Sequence, residues 1–434
     1  MQLTGLSFLR WAMVGGGIVA GLPAFAPPAF AADLAATPAA TAQSFDQRWK
    51  VTFSDEVQYY SWDSSQGYPH IPLQFPPDPR GPAHGYQVYN PFGLQLDGKA
   101  TDDLQVQMLI RSGYLWSGQT NAGVSANTAT TTDTTLGTTL TYNGIAGYQP
   151  FVSLNVNAPT GQTVLLGTNA LARPDPDVAA VGTFGQGWNV GPTAGVNIAL
   201  AQNLIATLST GYTYRGTFNS EGMIPVVGVQ GIASNKPGDD WTANAMLNFQ
   251  PIDTLLLQLG GAFTVEGTTL IDGVPIFKTG DKFVITGGAR YLWTPQLASQ
   301  LNGTFTHIDR NKIQSLAAPF ALFTEAVDSN SNITQLLAST TYTLGQVSFG
   351  PTGGFTYRDH NDYDPTLAAF LPAKTGWVLG AMASWVASQQ VTLTARGEHR
   401  WIHENENPNL GPLLGFPAIT TNVWVAAVAG TVKF

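Results

Sequence analysis

Along most of the chain, apolar and polar side chains alternate with a period of two. In 255–265 the odd positions are Leu255, Leu257, Leu259, Gly261, Phe263 and Val265, while Gln258 and Thr264 stand on the even side. In 204–215, Leu204, Ala206, Leu208, Thr210, Tyr212 and Tyr214 share one face, and Thr207, Ser209, Thr213 and Arg215 share the other. Successive side chains of a strand point to opposite faces, so the pattern predicts strands with one apolar and one polar side. Segments of about ten such residues are the signature of strands that cross a membrane as a barrel. Sixteen are predicted, at 48–61, 86–96, 103–116, 135–142, 148–158, 186–199, 204–215, 241–249, 254–266, 282–293, 297–310, 332–342, 347–358, 375–386, 390–402 and 420–434. The second is interrupted by Pro91 and Gly93.

The connections sort by length. Tight turns fall at Asp97–Asp102, Asn143–Gly147, Leu200–Asn203, Gln250–Asp253, Thr294–Gln296, Thr343–Gln346 and Ala387–Gln389, most of them built from Pro, Gly, Asn or Asp. Between them lie eight longer loops. Short periplasmic turns alternating with long external loops are the habit of outer-membrane barrels, and an even strand number returns both termini to the periplasm. The fold expected is therefore all-β, a closed antiparallel transmembrane barrel of about sixteen strands over 48–434.

Tryptophan placement agrees with this. Trp49, Trp293 and Trp385 fall at the expected periplasmic rim, and Trp62, Trp116, Trp188, Trp241, Trp377, Trp401 and Trp424 at the outer rim. All but Trp62 have outward parity. Indole favours the headgroup zone, where its body is apolar and its N–H finds a partner.

Composition changes the picture at two points. Charged residues are only 11% of the 434, there is no cysteine, and the net charge is −9. The absent basic excess argues against nucleic-acid binding, and the absent thiols remove disulfides, thiolate zinc sites and cysteine nucleophiles. Residues 1–31 read as a secretory signal, with Arg10, an apolar run from Trp11 and a small-x-small end at Ala29-Phe30-Ala31. Residues 32–47 read as a flexible periplasmic lead. Beyond residue 47 there is no apolar run of about 18 residues, the least a membrane helix needs. The chain ends Val432-Lys433-Phe434, and a terminal Phe on an amphipathic strand resembles the signal read by the barrel assembly machinery.

The register makes a sharp statement about charge, because a Lys or Arg facing lipid at mid-depth costs about 2–4 kcal/mol. Arg48, Lys50, Glu56, Arg111, Arg215, Glu266, Lys282, Arg290, Arg310, Arg358, Arg396, Glu398, Arg400 and Lys433 all take the lumen parity, eleven bases against three acids. Asp309 sits at an outer tip, and Asp55 lies mid-strand with the wrong parity, which a bulge before Glu56 would reset. Arg111 and Arg396 are the central arginines; Arg215, Arg310, Arg358 and Arg400 ring the outer mouth, and Arg290 completes the set. Such a lining either draws in anions and carboxylates or forms a ladder with Glu266, Glu398 and loop acids that plugs the lumen.

The region 147–216, with "GYQPFVSLNVNAPTG" and "FGQGWNVGPTAGVNIALAQNLIATLSTGYTYRG", looks like bacterial outer-membrane β-barrels. It is similar to those grouped with phenol degradation by the meta-cleavage pathway, which show a strand ending in Pro-Thr-Gly and a Gly-Tyr-x-Tyr hairpin. That resemblance implies a channel for small, often aromatic, compounds.

The long loops are unexpectedly apolar at 163–172, 222–232, 315–323 and 409–419, so they either fold inward or pack on one another as a cap. Residues 313–325 could form a short helix with Ile313, Leu316, Ala317 and Phe320 on one face. His307 and His399 lack a Ser within reach, and no phosphate-cradling or dinucleotide motif is present, so neither an enzyme nor a cofactor is expected. The acidic tips "DHNDYD" at 359–364 and "IHENEN" at 402–407 read as solvated loops, with cation bridging to lipopolysaccharide phosphate as the functional alternative. The expected function is passive diffusion of small solutes across the outer membrane. The competing expectation is a plugged barrel whose external loops bind a partner.

Overall fold

The computed structural model describes residues 49–65, 81–162, 164–165, 172, 177–179, 181, 185–224, 229–315, 318–367, 369–408 and 417–434. The expected signal and lead, Arg48, and the apolar stretch 409–416 lie outside them. The first strands are β1 (Trp49–Ser64), β2 (Ala83–Lys99), β3 (Leu104–Asn121), β4 (Val124–Thr131), β5 (Thr134–Tyr142), β6 (Tyr148–Ala158), β7 (Asn189–Ala201) and β8 (Leu204–Arg215). There follow β9 (Phe218–Ile224), β10 (Val229–Lys236), β11 (Asp240–Ile252), β12 (Leu255–Glu266), β13 (Thr269–Ile271), β14 (Val274–Lys278), β15 (Lys282–Leu292) and β16 (Leu297–Ile308). The last are β17 (Lys312–Ser315), β18 (Ala318–Thr324), β19 (Ile333–Leu344), β20 (Val347–Arg358), β21 (Lys374–Val386), β22 (Val391–Glu404) and β23 (Ile419–Lys433).

Sixteen of these close into a ring. β1, β2, β3, β5, β6, β7, β8, β11, β12, β15, β16, β19, β20, β21, β22 and β23 pair antiparallel in that order, and β23 pairs back onto β1. Each of the sixteen expected segments falls in one ring strand. Short turns cluster at one end of the barrel and long connections at the other. Closure leaves no free sheet edge within the wall, the only way a sheet can cross lipid. Phe434 finishes the seam, with reciprocal backbone bonds to Val51.

Outward parity is apolar and exposed all round. Nine tryptophans (Trp49, Trp116, Trp188, Trp241, Trp293, Trp377, Trp385, Trp401 and Trp424) are 41–62% exposed. Trp62, the one with inward parity, is 7% exposed and packs inside with Tyr60, Tyr89, Leu115, Val423 and Val425. The barrel thus reverses the soluble rule: its large apolar side chains face out, and its inner wall carries hydroxyls, amides and charges.

Pro91 is accommodated rather than avoided. The β1–β2 ladder skips Glu56 and Val57, where proline offers no N–H, and resumes in the same register at Gln58↔Tyr89. The Asn90 amide Nδ2 donates to the freed Glu56 carbonyl and to Asp55 Oδ1, each at 2.7 Å. The expected bulge at Asp55 is therefore absent. Asp55 keeps its outward parity, and its carboxylate is met by a neighbouring amide on the same face. Lipid-facing acids are unfavourable even when bonded, so Asp55→Val is expected to stabilise the barrel by about 1 kcal/mol. A lower melting temperature in vesicles would show that the Asn90 bond outweighs the lipid cost.

The long connections add structure the alternation did not predict. β4 continues from β3 through an Ala122-Gly123 turn, both at positive φ, and pairs with the upper half of β3, while β5 takes the lower half. Three hairpins, β9–β10, β13–β14 and β17–β18, lie side by side as a second sheet in the order β18-β17-β14-β13-β10-β9. The described parts of the apolar runs 222–232 and 315–323 belong to its two outer hairpins, with β13–β14 between them. The helix expected over 313–325 is a hairpin instead: Ile313 pairs with Phe323 on one side and Phe277 on the other. A short apolar run fits either period, and the neighbouring edge of β14 decides.

Candidate functional site

The inner wall has two unlike arcs. From β5 round to β20 it is mainly neutral, and its polar groups bond across strands. Thr139 meets Ser153 at 2.9 Å, Thr207 donates to Asn197 at 2.8 Å, Thr242 meets Thr264 at 3.1 Å, and Gln258 donates to Asn248 at 2.8 Å. Hydroxyls and amides satisfied laterally can still exchange bonds with water or a passing solute.

The other arc, β20 to β23 and on through β1, carries a charge ladder. Arg396 bridges Glu56 at 3.2 Å and Glu398 at 3.4 Å, and Arg400 takes the other Glu398 oxygen at 2.9 Å. Lys374 binds Glu404 at 3.1 Å and Asp177 at 2.6 Å, and Arg358 lies 3.8 Å from Glu404. A second cluster closes the long-connection ends of β8, β11 and β12, where Arg215 contacts Asp240 at 3.5 Å and Glu266 at 3.3 Å. Just beyond it, burial pushes the Asp239 carboxyl up, but the Arg215 N–H, Lys236 and Tyr212 outweigh burial and hold it below the usual range.

These contacts change the expected charge balance. The strands run further than the alternation suggested, so Asp240, Lys374 and Glu404 join the inward face, and the two acids each neutralise an arginine. Arg215, Arg358, Arg396 and Arg400 are paired, which is the ladder arrangement. Arg310 and Asp309 lie beyond the end of β16, and Arg310 donates to the Ala326 carbonyl at 3.3 Å. Arg111 and Arg290 form no ion pair or side-chain hydrogen bond among the described residues.

A piece of the β6–β7 connection lies inside the barrel. Val178 and Ala179 are 3% and 1% exposed and pack on Tyr60, Trp62, Tyr89, Leu115, Val423 and Val425. The Val178 carbonyl accepts from Arg400 at 3.3 Å, and Asp177 holds Lys374. The segment is therefore fixed to one arc of wall, β21 to β3, by two cations and an apolar bed. Leu165 and Ala172 of the apolar run 163–172 are also buried, Ala172 against Ala126.

Both arms of that connection meet at Asp133, which is 4% exposed. Its carboxylate accepts from the backbone N–H of Gly161 at 3.1 Å, Gly185 at 2.5 Å and Gln186 at 3.0 Å, and from Asn157 Nδ2 at 3.0 Å. Sequence reasoning missed this residue: within "TTTDTT" it reads as an ordinary loop acid, and its partners are remote along the chain.

No group of three ligating side chains gathers among the described residues. In the tip 359–364, Asp359 accepts from Asn332 Nδ2 at 2.8 Å, and two bonds from Thr366 hold the Asp364 carboxyl below its usual range. His307 lies on the outward face, with Nδ1 2.7 Å from Asn332 Oδ1.

No family model and no curated protein matches the chain. Among solved structures it is similar to the COG4313 outer membrane channel from Pseudomonas putida F1, at 15% identity over 67% of this chain and 94% of that one, with a TM-score of 0.37. It is also similar to a Pseudomonas aeruginosa FadL homologue, at 8% identity over 89% and 90% with a TM-score of 0.41. A third is Acinetobacter baumannii OccAB1, at 10% over 89% and 97% with a TM-score of 0.45. By its closed ring, apolar outer belt and polar inner wall, the chain is a transmembrane β-barrel.

Proposed function

We propose that the protein is a passive diffusion channel for small solutes, with its long connections outside the cell and both termini in the periplasm. The observation that carries this is the arc from β5 to β20, where, apart from the Arg215 cluster and the β15 cations, hydroxyls and amides line the inner wall. Sixteen strands enclose an aqueous lumen unless something fills it, and residues 177–179 are held to the opposite arc by Lys374, Arg400 and the apolar bed. No chemical step is part of this reading; selectivity comes from the shape left by the infolded segment and from unneutralised charge. Arg111 and Arg290 supply that charge, favouring anionic solutes, and the aromatic bed beside the infolded segment suits aromatic ones. The surrounding partners are outer-membrane lipid and lipopolysaccharide, and Phe434 at the seam is the mark offered to the assembly machinery.

Purified protein in a planar bilayer tests this. Stepwise ion conductance with a mild anion preference is expected. A silent bilayer would favour the plugged-barrel reading, in which the three-hairpin sheet and its neighbours serve a partner. Equal permeability to both ions would keep the channel and remove the role of the arginines.

A further inference from the structure

A row of accessible donors crosses the inner wall on the short-turn side of the infolded segment. Pairing aligns Ser54 with Gly93, Gly93 with Arg111, and Arg111 with Thr135. All take inward parity, and Ser54, Arg111 and Thr135 are exposed to the lumen. Gly93 gives the arginine its room: a Cβ there would lie 3.6 Å from Arg111 Cγ and 3.2 Å from Ser54 Oγ, so the stem of Arg111 lies beside a residue without a side chain. The acid in the adjoining row, Glu56, is held by Arg396 at 3.2 Å. No carboxylate pairs with Arg111 among the described residues, unlike the arginines of the two clusters. Two residues further along β3, Gly113 leaves space that the Tyr89 ring takes, with Cε2 2.8 Å from where a Gly113 Cβ would stand. Tyr89 and Leu115 in turn carry Val178 and Ala179. The donors thus sit directly below the apolar bed on which the infolded segment rests.

We propose that Ser54, Arg111 and Thr135 form a subsite for small organic monocarboxylates, placed where the infolded segment narrows the path. The proposal rests on the channel reading and deepens it. A guanidinium fork takes both oxygens of a planar carboxylate, a hydroxyl of the row donates to a remaining lone pair, and the ligand's apolar body turns toward the Tyr89 side.

The test uses the full chain in planar bilayers, with benzoate as probe and benzamide as its neutral counterpart. Benzoate is expected to reduce the chloride current saturably, and benzamide at the same concentration to leave it unchanged. Arg111→Gln should raise the half-blocking concentration about tenfold or more, and Thr135→Val by a few-fold. Lys99→Gln, which removes one positive charge near the short-turn end, should leave it as in the wild type. Unchanged block in Arg111→Gln, or equal block by benzamide, would overturn the subsite. A bilayer that conducts nothing would instead refute the channel, and the subsite is then read by melting in detergent. There benzoate should raise the wild-type melting temperature and not that of Arg111→Gln; no wild-type shift rejects the subsite on its own terms.

Discussion

Asp133→Ala is expected to raise single-channel conductance and lower thermal stability together, the largest effect of any single substitution considered. The carboxylate gathers three backbone N–H groups and one amide from the two arms of the β6–β7 connection. Alanine leaves those donors facing a site that is 4% exposed, and each buried donor without a partner costs about 1–3 kcal/mol. Losses within one network do not add fully, so a total of about 3 kcal/mol or more is expected. The structural consequence follows from what the arms hold. Asp177, Val178 and Ala179 lie between them, and the segment stays on the wall only while its ends are close. With both ends freed, the contacts to Lys374, Arg400 and the Tyr60–Leu115 bed must fix it alone. Conductance should rise as it leaves the lumen, and the open-channel current should become noisier. Asp133→Asn, which keeps one acceptor oxygen, should fall between. Unchanged conductance with a lowered melting temperature would mean that Asp133 staples the connection without shaping the path.

The ring was legible because lipid imposes it. A residue on the outward face has one kind of solvent from rim to rim, so the period of two survives over whole strands, and Trp62 stood out by parity alone. The charge arrangement was legible only in part. Parity placed Arg396, Arg400 and Glu398 on one face, and i, i+2 spacing on one strand makes their contact almost automatic. The pairing of Arg215 with Asp240, or of Lys374 with Glu404, depends on how far the strand ends run, and that is set by neighbours remote in sequence. The second sheet was hidden for a related reason. Its strands are three to eight residues long, and each is stable only beside the others, so 313–325 fitted a helix as well as a hairpin until Phe277 met Ile313. Asp133 and the Ser54–Arg111–Thr135 row show the limit most clearly. Both are made by residues on different strands or loops, and no local spacing announces either.

Lys374→Met is expected to open the channel, though less than the loss of Asp133 does. Lys374 Nζ binds Asp177 at 2.6 Å and Glu404 at 3.1 Å, so two carboxylates face the same ammonium and therefore each other. Glu404 is 6% exposed, and removing one partner of a buried pair costs about 3–5 kcal/mol; the Arg358 contact at 3.8 Å reduces that here. The ammonium ties Asp177, and with it Val178 and Ala179, to the wall, and methionine keeps the stem of Lys374 without its charge. Conductance of the variant should therefore rise above that of the wild type, whereas Lys374→Arg, which keeps the charge, should stay near it. Unchanged conductance with a lowered melting temperature would show that the ion pair stabilises β21 and β22 without controlling residues 177–179.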